Sequence, residues 1–362
     1  MLRRGIIIFG MLVCLALAGC GAGTSVSGVG SETGGVSGGA GTPTSSALAG
    51  QTPTAGASGG AVGVTIFVEP QAGEAPVLQA IRGAQSSVWV EVYLLTDRNV
   101  IYALEDAAQR GVDTRVLLEL NPYGAGTTTP TQTLQELQAA GVKAEGANPA
   151  FHYTHEKAMI VDGATLYIMT ANLTKSGLGG SSYADNREYG VIDSAAADVR
   201  EATAIFQADW ARTTPTLSDP NLVVSPVNAR QRLLAFINGA QTTLLVEDEE
   251  MYDTQSAQAL VAAAKRGVNV EVVLPPPSGS SGPGANVATL LQGGVHVRYI
   301  TSVYMHAKMM VADGRLAFVG SENFSANSLD DNRELGILIA DQSAIATLTR
   351  TFAGDWSSAR AA

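Results

Sequence analysis

The sequence contains two copies of one pattern, and this internal repeat limits the possible folds more than any other feature. Residues 81–91 (IRGAQSSVWVE) return as residues 237–247 (INGAQTTLLVE), a separation of 156 residues. The triplet Arg-Gly-Val recurs at the same separation, at 110–112 and 266–268. A chain that repeats itself at this period predicts two structural units of the same fold. We place the first unit at about 64–215 and the second at about 221–362.

Within each copy, apolar runs alternate with helical patterns. A glycine in Arg-Gly-Val suits the left-handed residue that ends many helices, so this triplet predicts a helix end before a second strand. The alternation predicts an α/β fold in which each half is a mixed, mainly parallel sheet flanked by helices. The predicted segments, in the first and second copy, are strands at 88–95 and 243–247, strands at 114–120 and 269–274, and helices at 131–140 and 286–292. Each copy also ends in Phe-x-x-Asp-Trp, whose aromatic residues we interpret as packing groups.

The N-terminus has the pattern of an export signal. Arg3 and Arg4 precede a short apolar run at 6–17, which is too short for a comfortable membrane span. The run ends in Leu-Ala-Gly-Cys20, which resembles the lipobox of bacterial lipoproteins; an ordinary signal peptide is the alternative. We expect residues 1–19 to be a signal peptide and residues 20–63 to be a lipidated Cys20 followed by a flexible Gly/Ser/Thr/Pro tether. The expected location is extracytoplasmic and membrane-anchored, at the bacterial surface or in the periplasm.

Charge and cysteine content exclude some functions. The net charge is −11, and removal of residues 1–19, which hold two arginines and no acid, makes it −13. An acidic protein gains little from a phosphate backbone, which counts mildly against nucleic acid as the partner. The only cysteines are Cys14 and Cys20, so the mature domain has none for a disulfide, a thiolate metal site or a nucleophile.

The chemistry-bearing pattern is His-x-Lys-x-x-x-x-Asp, which occurs once in each copy. Two residues apart on a strand, the His and the Lys point to the same face. The Asp is followed by Gly in both copies, a dipeptide typical of hairpin turns, so we interpret it as a backbone support in preference to a direct catalytic group. The residues are His155, Lys157 and Asp162, and then His306, Lys308 and Asp313.

A hydroxyl, an amide and a carboxyl follow each of these patterns. The Asn lies 17 residues after the His in both copies, and the Glu closes the quartet Asp-Asn-Arg-Glu. A nucleophilic imidazole needs a partner on its other ring nitrogen, and the two Glu are the candidates. Lys and Asn supply donors to a phosphoryl group, while one His attacks phosphorus and the other acts as general acid and base. The residues are Thr170, Asn172 and Glu188, and then Ser321, Asn323 and Glu334.

These residues resemble the HKD motifs of the phospholipase D superfamily, and the resemblance covers nearly all of 64–362. It implies two similar halves related by a pseudo-twofold axis, with the first motif His (His155) forming a phosphohistidine and the second (His306) acting as acid and base. It also implies that no metal or other cofactor is needed, and that one chain carrying both motifs acts as a monomer. One departure is Met169, where the second copy and the family have Gly (Gly320); this Met is expected to crowd the backbone and so to alter the first phosphate half-site.

The resemblance implies hydrolysis of phospholipid headgroup phosphodiesters, or their transfer to alcohols, with a membrane reached through lipidated Cys20. An anchored nuclease of the same superfamily is the alternative from another substrate class. A tethered binding protein with a relic site is the third reading, and the two complete motifs count against it.

Overall fold

A computed structural model describes residues 59–123, 129–181, 185–277 and 284–362. The predicted signal peptide, Cys20 and the tether up to residue 58 lie outside the described residues. The expectation that the tether extends to residue 63 is wrong, because Ala61 is 2% exposed in the central core and forms backbone hydrogen bonds with Leu338 and Ala340. Residues 59–362 belong to one compact unit that holds both repeats. No helix in the described ranges combines the length and the apolar character needed to cross a bilayer.

The first half follows the predicted alternation and then adds antiparallel strands. Gly111 adopts a positive φ of 88° directly after the second helix, as the Arg-Gly-Val pattern predicts. The elements of this half are β1 (Thr65–Glu69), α1 (Ala75–Gly83), β2 (Ser87–Val92), α2 (Arg98–Gln109), β3 (Asp113–Leu118), α3 (Pro130–Ala139), β4 (Lys143–Gly146), β5 (Lys157–Val161), β6 (Thr165–Met169), β7 (Asn186–Asp193) and α4 (Ala196–Ala211).

The second half repeats this order. Gly267 ends its second helix with a φ of 93°. The elements are β8 (Leu222–Ser225), α5 (Ala229–Gly239), β9 (Thr243–Asp248), α6 (Thr254–Lys265), β10 (Asn269–Leu274), α7 (Val287–Gln292), β11 (His296–Tyr299), β12 (Tyr304–Met305), β13 (Lys308–Ala312), β14 (Leu316–Gly320), α8 (Ala326–Asp330), β15 (Glu334–Ile339), α9 (Gln342–Ser358) and β16 (Arg360–Ala361).

Two sheets of matching topology form the frame. The strand order is β1-β7-β6-β5-β2-β3-β4 in the first half and β16-β11-β10-β9-β13-β14-β15-β8 in the second. The mixed α/β fold is as predicted, but the expectation of mainly parallel sheets is wrong. Among the described strands of each half, β2-β3-β4 and β9-β10-β11 pair in parallel, while the pairs within a half that involve β5, β6 and β7, or β13, β14 and β15, are antiparallel. The reason is the Asp-Gly turn, because so tight a connection can join only antiparallel neighbours.

The halves share one core and exchange one strand pair. A central apolar cluster draws residues from both sheets and from α4 and α9, including Phe206 and Phe352 of the repeated tail pattern. Two lateral clusters lie between each sheet and its own helices. In addition, β12 of the second half pairs in parallel with β7 of the first, placing Met305 opposite Arg187. The boundary between the halves is therefore a packed interior, and it passes beside the repeated motifs.

Candidate active site

Each motif Asp ties its hairpin to the start of the neighbouring strand. Asp162 and Asp313 adopt left-handed φ values of 54° and 55°, which suit the first position of a type I′ turn. The carboxylate of Asp162 accepts backbone N–H groups from residues 85–87, and Asp313 does the same at 241–243. Burial works against ionisation, yet these amides hold the pKa of Asp162 at about 2. Both Asp therefore have the supporting position that the sequence suggested.

Each motif His is aimed by a backbone bond to the opposite half. The imidazoles precede β5 and β13 and do not lie on them, which differs from the strand placement inferred from spacing. His155 N–H donates to the carbonyl of Arg333 at 2.8 Å, and His306 N–H donates to the carbonyl of Arg187 at 3.3 Å. The residue after each Arg is the Glu of the quartet, so this register brings each His beside the Glu of the other repeat.

The His–Glu pairs are consequently crossed between the halves. His155 Nδ1 lies 2.9 Å from Glu334 Oε2, and His306 Nδ1 lies 2.7 Å from Glu188 Oε1. A carboxylate on Nδ1 favours the tautomer with its proton on that atom and leaves Nε2 free. Burial lowers the pKa of His155 to about 4, although Glu334 opposes the shift. At neutral pH His155 therefore presents an unprotonated Nε2.

Further donors fix each carboxylate. Glu334 Oε1 accepts from Ser328 Oγ at 2.6 Å and from Asn332 Nδ2 at 3.0 Å. Glu188 accepts from Thr170 Oγ1 at 2.6 Å on one oxygen and from Asn186 Nδ2 at 2.9 Å on the other. Both Glu side chains are fully buried, so these contacts determine which way each carboxylate points.

The motif lysines lie in the wall beneath the histidines. Lys157 and Lys308 are 1% and 0% exposed, and each ammonium donates to the carbonyl of the His two residues earlier. Burial lowers the pKa of Lys157 to about 7. Burial acts in the same direction on Lys308, but Glu249 and Glu188 outweigh it and raise its pKa. The two half-sites thus have the same skeleton and different electrostatics.

Asn172 and Asn323 complete the paired set in the cleft wall. They are 8% and 5% exposed, and within the described part of the chain neither amide oxygen has a hydrogen-bond partner. The cleft has a volume of about 660 Å³. Its lining comprises Tyr93, Leu94, Tyr123, His152, Tyr153, His155, Asn172, Glu249, Glu250, Tyr252, His306, Asn323, Ser325, Ala326, Asn327, Ser328 and Asn332.

Thr170 and Ser321 occupy matching places but make different contacts. Thr170 Oγ1 accepts from Tyr189 N–H at 2.9 Å and donates to the carboxylate of Glu188. Ser321 Oγ accepts from Leu335 N–H at 3.1 Å, the equivalent bond, but donates to the carbonyl of Leu335 at 3.5 Å and not to the quartet Glu. Both hydroxyls therefore support the strand that carries the Glu of the Asp-Asn-Arg-Glu quartet, because each binds the backbone of that strand.

Met169 does not crowd the backbone as its replacement of glycine suggested. A Cβ at Gly320 would lie 2.3 Å from the carboxylate of Glu322, so glycine is required there. The first repeat has Ala171 where the second has Glu322. This smaller residue leaves space for Met169, whose side chain is 1% exposed within the first lateral core. The exchange of a large and a small residue explains why the departure is tolerated.

One position in the cleft differs fundamentally between the repeats. Tyr93 packs edge-on against His155, with ring centroids 4.6 Å apart. Glu249, 156 residues later, replaces it in the second half. Its Oε2 lies 3.3 Å from His306 Nε2 and 3.1 Å from Lys308 Nζ. Repeat comparison does not reveal Glu249 as a site residue, because it selects positions that agree and these two disagree.

Buried ion pairs cross between the halves below the cleft. Arg333 pairs with Asp209, with Nε 2.8 Å from Oδ2, and Arg187 pairs with Asp355 at 2.5 Å. Each Asp belongs to a Phe-x-x-Asp-Trp tail and each Arg to an Asp-Asn-Arg-Glu quartet. These residues were missed as a pair, although the repetition of both patterns was a signal. The pairs hold the strand that aims each His.

Among the described residues, one group of three carboxylates is close enough to share a metal ion: Glu91, Glu156 and Asp209. All three are buried, and Asp209 is already paired with Arg333. Burial and the neighbouring Asp209 raise the pKa of Glu156 to about 8. This carboxyl therefore holds its proton at neutral pH in the structure as it stands.

The two halves, the crossed His–Glu pairs and the shared cleft define the phospholipase D superfamily, whose members act on phosphoric diester bonds. The family model described as "Cardiolipin synthase, PLD-like domain" matches residues 77–210 and 233–356, once in each half. The chain therefore belongs to this family.

Similar proteins agree with this assignment. The chain is 24% identical to the probable cardiolipin synthase YwiE of Bacillus subtilis (strain 168), over 77% of this chain and 63% of that protein, so it spans less than two thirds of that relative. It is 26% identical to the minor cardiolipin synthase ClsB of the same organism, over 74% of each chain. A 5'-3' exonuclease, PLD3 of Rattus norvegicus, is 29% identical over 39% of this chain and 32% of that protein.

Solved structures share the fold at low sequence identity. The phosphatidylserine synthase of Haemophilus influenzae Rd KW20 matches with a TM-score of 0.66 at 13% identity, over 83% of this chain and 87% of that chain. The polyphosphate kinase of Porphyromonas gingivalis has a TM-score of 0.66 at 14% identity, over 80% of this chain and 46% of that chain. The arrangement of the halves is therefore one found in solved proteins.

Proposed function

We propose that the chain is a phospholipase D-type enzyme that cleaves the headgroup phosphodiester of a phospholipid through a phosphohistidine, passing the phosphatidyl group to water or to an alcohol. The observation that carries the proposal is the pair of crossed His–Glu contacts in one cleft. The resemblance to cardiolipin synthases and a phosphatidylserine synthase favours a phospholipid substrate.

The first step uses the two histidines in different protonation states. The Nε2 lone pair of His155 attacks phosphorus, and the bond between phosphorus and the headgroup oxygen breaks. His306 gives the proton on its Nε2 to that oxygen, so the alcohol leaves neutral. The low pKa of His155 favours it as the nucleophile, because a protonated ring has no lone pair for the attack. Carboxylates at both ring nitrogens of His306 can accept hydrogen bonds from a doubly protonated ring.

The second step reverses the proton transfer. Water or an alcohol gives its proton to His306 Nε2 as its oxygen attacks phosphorus, and the bond between phosphorus and His155 breaks. The Lys157 and Lys308 ammonium groups and the two Asn amides supply donors around the phosphoryl oxygens, whose charge is greatest in the transition state. Each displacement inverts phosphorus, so the overall reaction retains configuration.

The proposal extends to the place where the reaction occurs. An N-terminal signal peptide, lipidation of Cys20 and a tether to about residue 58 would hold a monomeric catalytic unit, formed by repeats at 64–215 and 221–362, near an extracytoplasmic membrane surface. Phospholipid is then available at high local concentration, and the overall charge of −11 disfavours a polyanionic substrate.

The test is capture of the intermediate by a competing alcohol. Phospholipid vesicles with and without ethanol are expected to give phosphatidic acid and phosphatidylethanol respectively, with total headgroup release little changed. Neutral or alkaline quenching is expected to trap the phosphatidyl group on His155 through a P–N bond. Hydrolysis with net inversion at phosphorus contradicts the covalent route, and cleavage of single-stranded DNA with no turnover of vesicles favours a nuclease.

A further inference from the structure

The carboxylate of Glu249 contacts the two groups that a phosphodiester must bind on the His306 side of the cleft, the imidazole of His306 and the ammonium of Lys308. Its Oε2 lies 3.3 Å from His306 Nε2 and 3.1 Å from Lys308 Nζ, while Tyr304 donates its hydroxyl to Oε1 at 2.9 Å. Burial acts to raise the pKa of Glu249, but His306 and Lys308 overcome it and hold the value at about 2. The carboxylate is therefore ionised at neutral pH in the cleft as the structure shows it.

The cleft carries more negative than positive charge. Lys157, Lys308 and a doubly protonated His306 stand against four carboxylates, those of Glu188, Glu334, Glu249 and Glu250, which gives −1 when all are ionised and His155 is neutral. A phosphodiester adds one more negative charge to a largely buried space, where charges interact more strongly than in water. A substrate that also carries a cation removes this penalty.

An exchange of ion pairs follows from the geometry. When phosphate takes His306 Nε2 and Lys308, Glu249 loses both partners and becomes a buried anion beside another anion. An ammonium group on the departing alcohol replaces those partners, so that Glu249 keeps a cation while His306 and Lys308 bind the phosphate. A neutral headgroup such as glycerol leaves the Glu249 carboxylate without a cation, which is costly at a site only 20% exposed.

An amine on the leaving alcohol lies within reach of the Glu249 carboxylate. In the proposed mechanism the leaving oxygen lies within hydrogen-bonding distance of His306 Nε2. Glu249 Oε2 is 3.3 Å from that same nitrogen, so an amine two carbons from the leaving oxygen can reach it. The rings of Tyr304 and Tyr252 border this side of the cleft, and aromatic faces also attract ammonium groups.

We propose that Glu249 is the specificity-determining residue of the cleft and that it binds a cationic nitrogen, so that the cleaved headgroup is an amino alcohol. This inference rests on the proposed function, since His306 must face the leaving group. In the first repeat Tyr93 occupies the equivalent position, and that side of the cleft receives the phosphatidyl portion, which carries no cation.

The test compares two soluble diesters that differ in one amine. Binding of glycerophosphoethanolamine and glycerophosphoglycerol is measured by calorimetry in a His155→Ala background, which prevents turnover. Glu249→Gln is expected to weaken binding of the ethanolamine diester by roughly 10- to 100-fold, the range for a hydrogen bond to a charged group, and to change binding of the glycerol diester less than about threefold. Glu250→Gln, the same charge change one residue later in the same cleft, is the matched control and is expected to leave the preference in place.

The outcomes separate this inference from the function on which it rests. Equal affinity of the parent for both diesters overturns the inference, as does an equal effect of the two substitutions, which would indicate general electrostatics. Vesicle assays on phosphatidylethanolamine and phosphatidylglycerol then address the function. Turnover of both lipids at equal rates overturns the amine specificity alone. Absence of lipid turnover, with the binding preference intact, contradicts the proposed function and leaves the cation site standing.

Discussion

Replacement of Glu334 by Gln is expected to inactivate the enzyme through the tautomer of His155. Ser328 and Asn332 both donate to Glu334 Oε1, and Ser328 Oγ accepts from Asn323 N–H, so its hydrogen points at the carboxylate. In the variant these donors require the amide oxygen at the Oε1 position. His155 Nδ1 lies 3.0 Å from Oε1 and 2.9 Å from Oε2, but the two lone pairs of Oε1 already accept from Ser328 and Asn332. The amide nitrogen therefore takes the Oε2 position, where it donates toward Nδ1, whereas the carboxylate accepts. The ring proton moves to Nε2, and the attacking lone pair is lost.

The corresponding change at Glu188 has a milder expected result. His306 Nδ1 and Asn186 both donate to Oε1, so a Gln oxygen remains there and the tautomer of His306 is kept. The amide nitrogen faces Thr170 Oγ1, which has a second lone pair to accept it. Loss of charge alone is expected to lower kcat about tenfold, whereas a wrong tautomer at a catalytic imidazole costs on the order of 10⁴-fold.

The assay is single-turnover cleavage of a chromogenic phosphodiester by both Gln variants, with melting temperature as the control for folding. Adding Ser328→Ala and Asn332→Ala to Glu334→Gln frees the amide to turn its oxygen toward His155. At least a tenfold recovery of rate is expected, which a purely structural defect would not show. Equal losses in the two single variants, or no recovery in a folded triple variant, would falsify the tautomer argument.

Three further predictions concern the histidines, the buried carboxyls and the anchor. His155→Ala and His306→Ala are each expected to lower the rate by about 10²–10⁴-fold or more without unfolding the protein; a folded variant above a tenth of the wild-type rate contradicts the two-histidine mechanism. Glu156 has a pKa raised from 4.5 to about 8, so the folded state binds its proton more tightly, and the free energy of unfolding should fall as pH rises from about 4.5 to 8. Denaturant titrations should show that the free energy of unfolding varies less with pH in Glu156→Gln than in the wild type. An unchanged pH dependence would contradict the assignment of this effect to Glu156. Cys20→Ser should move the protein from the membrane fraction to the soluble fraction with unchanged activity on a soluble diester; continued membrane association would remove the lipidation hypothesis.

The sequence predicted the parts of the site that are the same in both repeats. His, Lys, Asn and Glu recur in order, and the Asp-Gly turns were identified from local backbone preferences. The partner of each His could not be assigned, because a Glu of the same copy and a Glu of the other copy are equivalent in sequence. Only the register, in which His155 N–H meets the carbonyl of Arg333, places Glu334 and not Glu188 beside it.

Features that break the repeat were the hardest to predict. Glu249 and Tyr93 have different chemistry at one position, and a charged residue after a strand is ordinarily solvated. The contacts of Glu249 depend on β12 (Tyr304–Met305), which joins the sheet of the other half. This pairing connects residues that lie more than 100 positions apart in the sequence. The same distance hid the Arg333–Asp209 pair, since each member is unremarkable until the two halves are packed together.

The crossed carboxylates also determine when a newly made chain becomes active. Synthesis and export proceed from the N-terminus, and domains tend to fold in that order. The first repeat, with His155 and Lys157, is complete long before the ribosome reaches Glu334, which lies 28 residues from the end of this sequence. Until Glu334 has been synthesised, His155 lacks the carboxylate that orients its imidazole, and the second repeat, which carries His306, is incomplete. The active site is thus incomplete through most of the synthesis of the chain.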